Sequence, residues 1–335
     1  MSSERPARRR GGLERLKESL DLLLSQKRSF PLIENDPVEF PHRYTRPRDI
    51  EVVGFISALL AYGQVPLFKR VIGRILEPMG DSPAEFCAQA DPAELRERFG
   101  PLYYRMNTGR DLACLLHFIG EVLRRYGSLG ELFVAVSREE EEDIAPALSR
   151  FVDCLLMMDP SPIYGRRHYP NGLLQLFSSP ERRSACKRLN LFLRWMVRPD
   201  DGVDFGLWKG IPPSKLIIPL DTHIVRISRY LGLTRRKSPG WAMAREITER
   251  FKGIDQTDPL KYDFALCHLG ISGACPLETD AAKCRICPLL PDCRRGRGLL
   301  GRRPQADAGP RPLATPPIAG RPTVRAPAGS PGAPR

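Results

Sequence analysis

The chain has 335 residues, 42% of them hydrophobic and 27% charged, with a formal charge of +13. A chain of that length buries a core without disulfide staples, and its composition excludes a wholly disordered or collagen-like protein. No apolar run reaches membrane-spanning length and no apolar stretch follows the basic start, so a cytoplasmic protein with no membrane contact is expected, its nine cysteines serving as thiols or metal ligands.

Taken in order, residues 1–12 read as a disordered basic start. Leu13, Leu16, Leu20 and Leu23 then step at helical spacing, as do Phe55, Ile56, Leu59 and Leu60. The same spacing recurs at Leu67, Val71 and Ile75, through Leu112–Tyr126, and at Ile144, Leu148, Phe151, Val152 and Leu155. The acidic run Glu139–Asp143 starts or precedes the last of these, where negative charge suits a helix N-terminus. Leu189, Phe192, Leu193 and Met196 form a further stripe, with Lys187, Arg188, Arg194 and Arg198 interspersed. Ile224, Ile227 and Leu231 form another, ended by Gly232. Asp258-Pro259 has the form of a helix start, continued by Leu260, Phe264, Cys267 and Ile271. Only Leu216–Leu220 hints at a strand, so an all-α fold is expected.

Charge gathers at the ends. Residues 294–335 hold nine Arg and one Asp, a net +8, while the first ten residues contribute +3 and leave +2 for the body. Nine Pro and seven Gly in the last 42 positions predict a disordered basic tail. Such a tail attracts phosphate backbones without sequence preference, or simply keeps the chain soluble.

Four cysteines fall as C-x8-C-x2-C-x5-C: Cys275, Cys284, Cys287 and Cys293. Four soft ligands in one short segment point to a metal site. Zinc sites usually pair two C-x2-C knuckles, whereas one knuckle flanked by single cysteines suits a [4Fe-4S] cubane with one thiolate per iron. Zinc stays as the alternative. Cys87, Cys114, Cys154, Cys186 and Cys267 sit among apolar residues and read as core thiols. Upstream, Ile218-Pro219-Leu220-Asp221-Thr222-His223 opens a helix. Asp221 there is either a cap, or a carboxylate held rigidly at a helix N-terminus that could orient a water and stabilise a developing cation.

The segment Pro219–Leu233 (PLDTHIVRISRYLGL), with an all-helical stretch and the four-cysteine loop after it, resembles endonuclease III and the helix-hairpin-helix DNA glycosylase superfamily, adenine glycosylases included. Closer still is the likeness to an uncharacterised bacterial family with L-R-W-M-V-R and P-L-D-T-H segments, here Leu193–Arg198 and Pro219–His223. The superfamily resemblance implies a two-layer helical fold, with a cleft between a six-helix barrel and a cluster-bearing domain. It assigns residues 51–215 to the barrel, and 13–50 with 216–293 to the terminal domain. It implies Asp221 as the catalytic aspartate, Gln64 at the end of Phe55–Val65 as a polar residue approaching DNA, and the four cysteines as ligands of a [4Fe-4S] cluster.

Two departures stand out. The cluster spacing is two residues longer than the family's, and the Gly-rich hairpin that binds a DNA phosphate has no clean match. Lys209-Gly210-Ile211-Pro212 is the nearest segment. The family's nucleophilic lysine falls at Val203, so Lys209 and Lys215 reach the cleft only along a different backbone path. Phosphate contacts then fall to basic clusters: Arg166-Arg167-His168, Arg182-Arg183, Lys187-Arg188 and Arg235-Arg236-Lys237. His223 reads as a satisfied, partly buried histidine, or as one that meets a phosphate or the helix end, and His268 is expected to sit in the core or beside the cluster. Trp195 and Trp208 read as packing residues, or as stacking faces for a flipped base. The expected function is monofunctional DNA repair glycosylase, acting as a monomer on damaged or mispaired bases. The alternative is a non-catalytic binder of DNA or structured RNA on the same scaffold.

Overall fold

The computed structural model describes residues 4–26, 33, 34 and 36–301. Helix α1 (Glu4–Gln26) turns Leu16, Leu20 and Leu23 inward. It starts earlier than the disordered start expected for residues 1–12. Pro6 costs nothing in a first turn whose donors are free in any case, and the alanine and arginines after it are good helix formers. Helix α2 (Pro47–Leu60) is buried continuously from Asp49 to Leu60, which makes it the central helix. Around it come α3 (Val65–Leu76), α4 (Pro83–Gln89) and α5 (Pro92–Phe99). A hairpin of β1 (Tyr103–Tyr104) and β2 (Asn107–Thr108), pairing Tyr103 with Thr108 and Tyr104 with Asn107, holds the only strands among the described residues. Helix α6 (Gly109–Tyr126) opens on a reciprocal Thr108–Asp111 capping box. There follow α7 (Leu129–Val136), α8 (Ala145–Met157), α9 (Ser161–Tyr164), α10 (Asn171–Leu174) and α11 (Lys187–Val197), which packs along α2. Asp143, last of the acidic run, caps α8 by accepting the Ala145 N–H at 2.9 Å. Phe55, Phe133, Phe151, Phe192 and Trp208 interlock at the centre of this layer.

The second layer holds α12 (Thr222–Leu231), α13 (Trp241–Lys252), α14 (Asp263–Ile271), α15 (Ala281–Arg285) and α16 (Arg294–Leu300). Helix α1 belongs to it, because Arg15 and Ser19 both donate to Asp292, and the Tyr262 hydroxyl donates to Asp21 at 2.7 Å. The fold is therefore all-α, and no described helix is long and apolar enough to cross a membrane. The two layers nonetheless form one compact unit up to Leu300.

Three local expectations change. Leu216–Leu220 is extended and buried but pairs with no strand; the Ile218 N–H donates to the Thr248 hydroxyl instead. Asp258 does not cap a helix, because Arg198 binds its carboxylate at 2.9 Å and α14 begins only at Asp263. The expected tail boundary at 294 is too early. Residues 294–300 form α16, with the Arg294 guanidinium against Gly232 at the C-terminus of α12, where a cation is favoured. The rest of the expected tail, 302–335, lies outside the described residues.

Candidate functional site

A cleft of about 1500 Å³ runs between the two layers. Tyr62, Gln175, Lys187 and Arg188 line it from the first layer, and Asp221, His223, Asp263, Phe264 and Cys267 from the second. Asp221 stands at the start of α12 in extended backbone, with its Oδ1 accepting the Ile224 N–H at 2.7 Å. The cap reading is thus correct, and the carboxylate also faces the cleft. Its Oδ2 accepts a hydrogen bond from the Cys267 thiol at 3.0 Å. Burial, with the Asp221 charge beside it, pushes that thiol well above the ordinary range, so it stays protonated and must be the donor.

The approach of α12 to α14 sets this contact. Gly270 lies directly against His223, where a Cβ would meet the histidine Cβ at 2.6 Å. Cys267, one turn earlier on α14, then falls opposite Asp221. Partial burial lowers the His223 imidazole below its usual range, although Asp221 pulls the other way. Arg226 extends from α12 to the cysteine loop, donating to the Cys275 carbonyl at 2.6 Å and meeting His223 Nδ1 at 3.2 Å.

Beneath the cleft lies a buried ion network that joins the layers. Arg194 donates to Asp204 at 3.1 Å and to Asp263 at 2.6 Å. Arg198 binds Asp201, Asp204 and Asp258. Burial alone would lower both guanidinium groups, but the carboxylates outweigh it and raise them. Asp263 keeps one oxygen buried without a partner, and burial raises its carboxyl to about 6. Asp36 meets His268 at 3.2 Å, so that histidine is a core residue bound to the N-terminal segment. Burial opposes the ionised form of Asp36, yet the bonds from His268 and the Val38 N–H hold it below the usual carboxylate range.

The opposite wall is a polar weave around Tyr62. Its hydroxyl donates to Asn107, and Gln175 donates to the same Asn107 oxygen at 2.7 Å. The Arg188 guanidinium lies 5.1 Å from the Tyr62 ring centroid and donates to the carbonyls of Leu59 and Gln175. The hairpin is welded to this wall through Tyr104, which packs on Tyr62, and it exposes Tyr103 and Met106 (71% and 61%) beside Arg105, a residue with positive φ.

The other expected residues divide by place. Lys187 lines the cleft and reaches the Ala61 carbonyl at 3.3 Å. Arg188 lines it too, but its donors are committed to the protein. Gln64 is exposed at the start of α3, between the cleft residues Gly63 and Val65, and does not itself line the cleft. Arg235, Arg236 and Lys237 form an exposed turn outside it, with Arg236 paired to Glu246. Arg166, Arg167, His168, Arg182 and Arg183 are also exposed and line no part of the cleft. Neither Lys209 nor Lys215 reaches the cleft: Lys209 donates to the Gly206 carbonyl and Lys215 to the Glu139 carbonyl. Trp195 and Trp208 pack in the core, and Trp208 donates to the buried Glu51 that also caps α7. Asp36, Tyr62, Gln175, Asp263, Phe264 and Cys267 were not expected as site residues; of these only Phe264 and Cys267 carried a visible signal, a helical stripe.

Cys275, Cys284, Cys287 and Cys293 line one small cavity with Tyr230, Pro276 and Leu290. The Gly296 N–H donates to Cys293 Sγ at 3.2 Å, and a backbone N–H from Leu289 reaches Cys287. Among the described residues no three His, Cys, Asp or Glu side chains gather tightly enough to hold one metal ion. Four thiols around an apolar cavity, with amide donors aimed at sulfur, are a donor set that fits a polynuclear cluster.

A family model described as a protein of unknown function, DUF2400, matches residues 36–272. That span holds every cleft-lining residue but Leu277 and ends just before the cysteine loop. No curated protein and no solved structure matches the chain.

Proposed function

The chain belongs to the DUF2400 family, and from the site itself we propose that it is a monofunctional DNA glycosylase that hydrolyses the N-glycosidic bond of an extruded base. The observation that carries this reading is Asp221: a carboxylate fixed at a helix N-terminus, facing a cleft with aromatic walls. A carboxylate so held stabilises the positive charge that develops on the sugar ring as the base leaves, and it orients the attacking water. Tyr62 and Phe264 line the cleft and offer aromatic contact to an extruded base, and extrusion costs only a few kcal/mol for a weakly paired base. Lys187, Arg226 and Arg229 supply positive charge along the cleft for the phosphates. Exposed Met106 at the hairpin tip suits insertion between base steps.

Cys275, Cys284, Cys287 and Cys293 would hold a [4Fe-4S] cluster. Held there beside Tyr230 of α12 and Gly296 of α16, such a cluster would brace the loop. Zinc is the weaker fit, since it needs all four sulfurs around one ion. The test is base release from duplexes bearing uracil, alkylated, oxidised or mismatched bases, with and without alkaline cleavage of the abasic product. Release by the wild type that disappears in Asp221→Asn, with folding and iron content retained, is the expected result. Release by that variant at the wild-type rate overturns the assignment. Silence across the panel from protein that binds duplex favours the non-catalytic reading, for which Asp221 is a cap alone. Among the described residues Lys187 is the one lysine along the cleft, so borohydride trapping there would add a strand-cleaving step.

A further inference from the structure

Helix α14 offers the cleft one face made of Asp263, Phe264, Cys267 and Ile271, and turns Ala265, Leu266 and Leu269 into the core. On that face only Cys267 touches the Asp221 carboxylate. We propose that Cys267 is a positioning residue: its thiol donates to Oδ2 while the Ile224 amide donates to Oδ1, and the two together fix the plane of the carboxylate toward the cleft.

The physical argument runs from the cap. A capping aspartate uses one oxygen on the helix and is free to rotate the other, since only one bond fixes it. A second donor from a different helix removes that freedom. Serine, threonine or an amide would do so with a stronger bond, but a thiol donates weakly and leaves more negative charge on the oxygen. That charge is what a developing cation needs. The contact crosses between α12 and α14, so it exists only while Gly270 lets the two helices approach, and the geometry of the carboxylate is tied to the packing of the second layer.

This inference deepens the glycosylase reading and rests on it for its kinetic half; its structural half does not. The first measurement is the infrared S–H stretching band, assigned to Cys267 by its loss in Cys267→Ser. Asp221→Ala should shift that band, because the acceptor is gone; an unshifted band overturns the proposal. The second is single-turnover base release. Cys267→Ala and Cys267→Val should each lose about 10- to 100-fold in rate, with substrate affinity unchanged, because the reacting carboxylate is misplaced rather than removed. Cys267→Ser, which keeps a donor, should recover most of the loss. Wild-type rates in both Cys267→Ala and Cys267→Val overturn the proposal. If the wild type itself releases no base, the glycosylase reading fails, and the S–H band alone decides whether the thiol holds the carboxylate.

Discussion

Replacing Gly270 with alanine sets two effects of similar size against each other. Inside α14 the change removes glycine's helical penalty, a gain of about 1 kcal/mol. The added methyl would stand 2.6 Å from the Cβ and Cγ of His223, roughly 1 Å inside ordinary carbon–carbon contact. The histidine Cβ is fixed to the α12 backbone and cannot swing aside. Overpacking of this kind costs about 1–3 kcal/mol, so the balance is a net loss of up to about 2 kcal/mol. Relief comes by moving α12 away from α14, which lengthens the 3.0 Å contact between Cys267 and Asp221. Base release should then fall by about 10- to 100-fold, out of proportion to the loss of stability. Urea unfolding followed by circular dichroism gives the first quantity and single-turnover kinetics the second. A Gly270→Ala protein about 1 kcal/mol more stable than wild type, with unchanged release, would refute the reasoning that this contact sets the register of the site.

Arg194→Met should be among the most damaging single changes in the core. It strands the buried Asp263 and leaves Asp204 to Arg198 alone, an expected loss of about 3–5 kcal/mol, read as a lower urea midpoint; a loss under about 1 kcal/mol would show that the network is not holding the layers. Asp263 should also set a pH dependence. Its carboxyl lies raised to about 6 in the folded chain, so the native state keeps a proton that the unfolded state releases. The stability this confers is present below the ordinary carboxylate range and is lost as pH rises through about 6. Between about pH 4 and 7 the wild type should therefore lose ground to Asp263→Asn, and parallel stability curves would contradict the assignment.

The helices were legible because apolar period is a local property. Leu16, Leu20 and Leu23 announce α1, and the run from Phe55 to Leu60 announces the central helix. What the period could not supply was partner choice. Asp258 with Pro259 after it carries every local sign of a cap, yet Arg198, sixty positions away, takes the carboxylate. In sequence Arg194 reads only as a basic residue interspersed with the stripe from Leu189 to Met196. In the fold it is 2% exposed, because the acidic loop that follows folds back to meet it.

The site divides along the same line. Asp221 was readable because a cap is made within four residues, and those residues hold one carboxylate oxygen while the other is met from Cys267. Its companions come from the whole length of the chain: Asp36 before α2, Tyr62 after it, Gln175 and Lys187 near α11, and Cys267 in α14. Phe264, Cys267 and Ile271 do repeat at helical spacing, and that repeat reads as a core stripe. The actual core stripe is Ala265, Leu266 and Leu269, displaced around the helix by about one residue, or roughly 100°. An apolar face on a helix shows only that something covers it. Here the cover is a cleft, and the face turned toward it is the one that reaches Asp221.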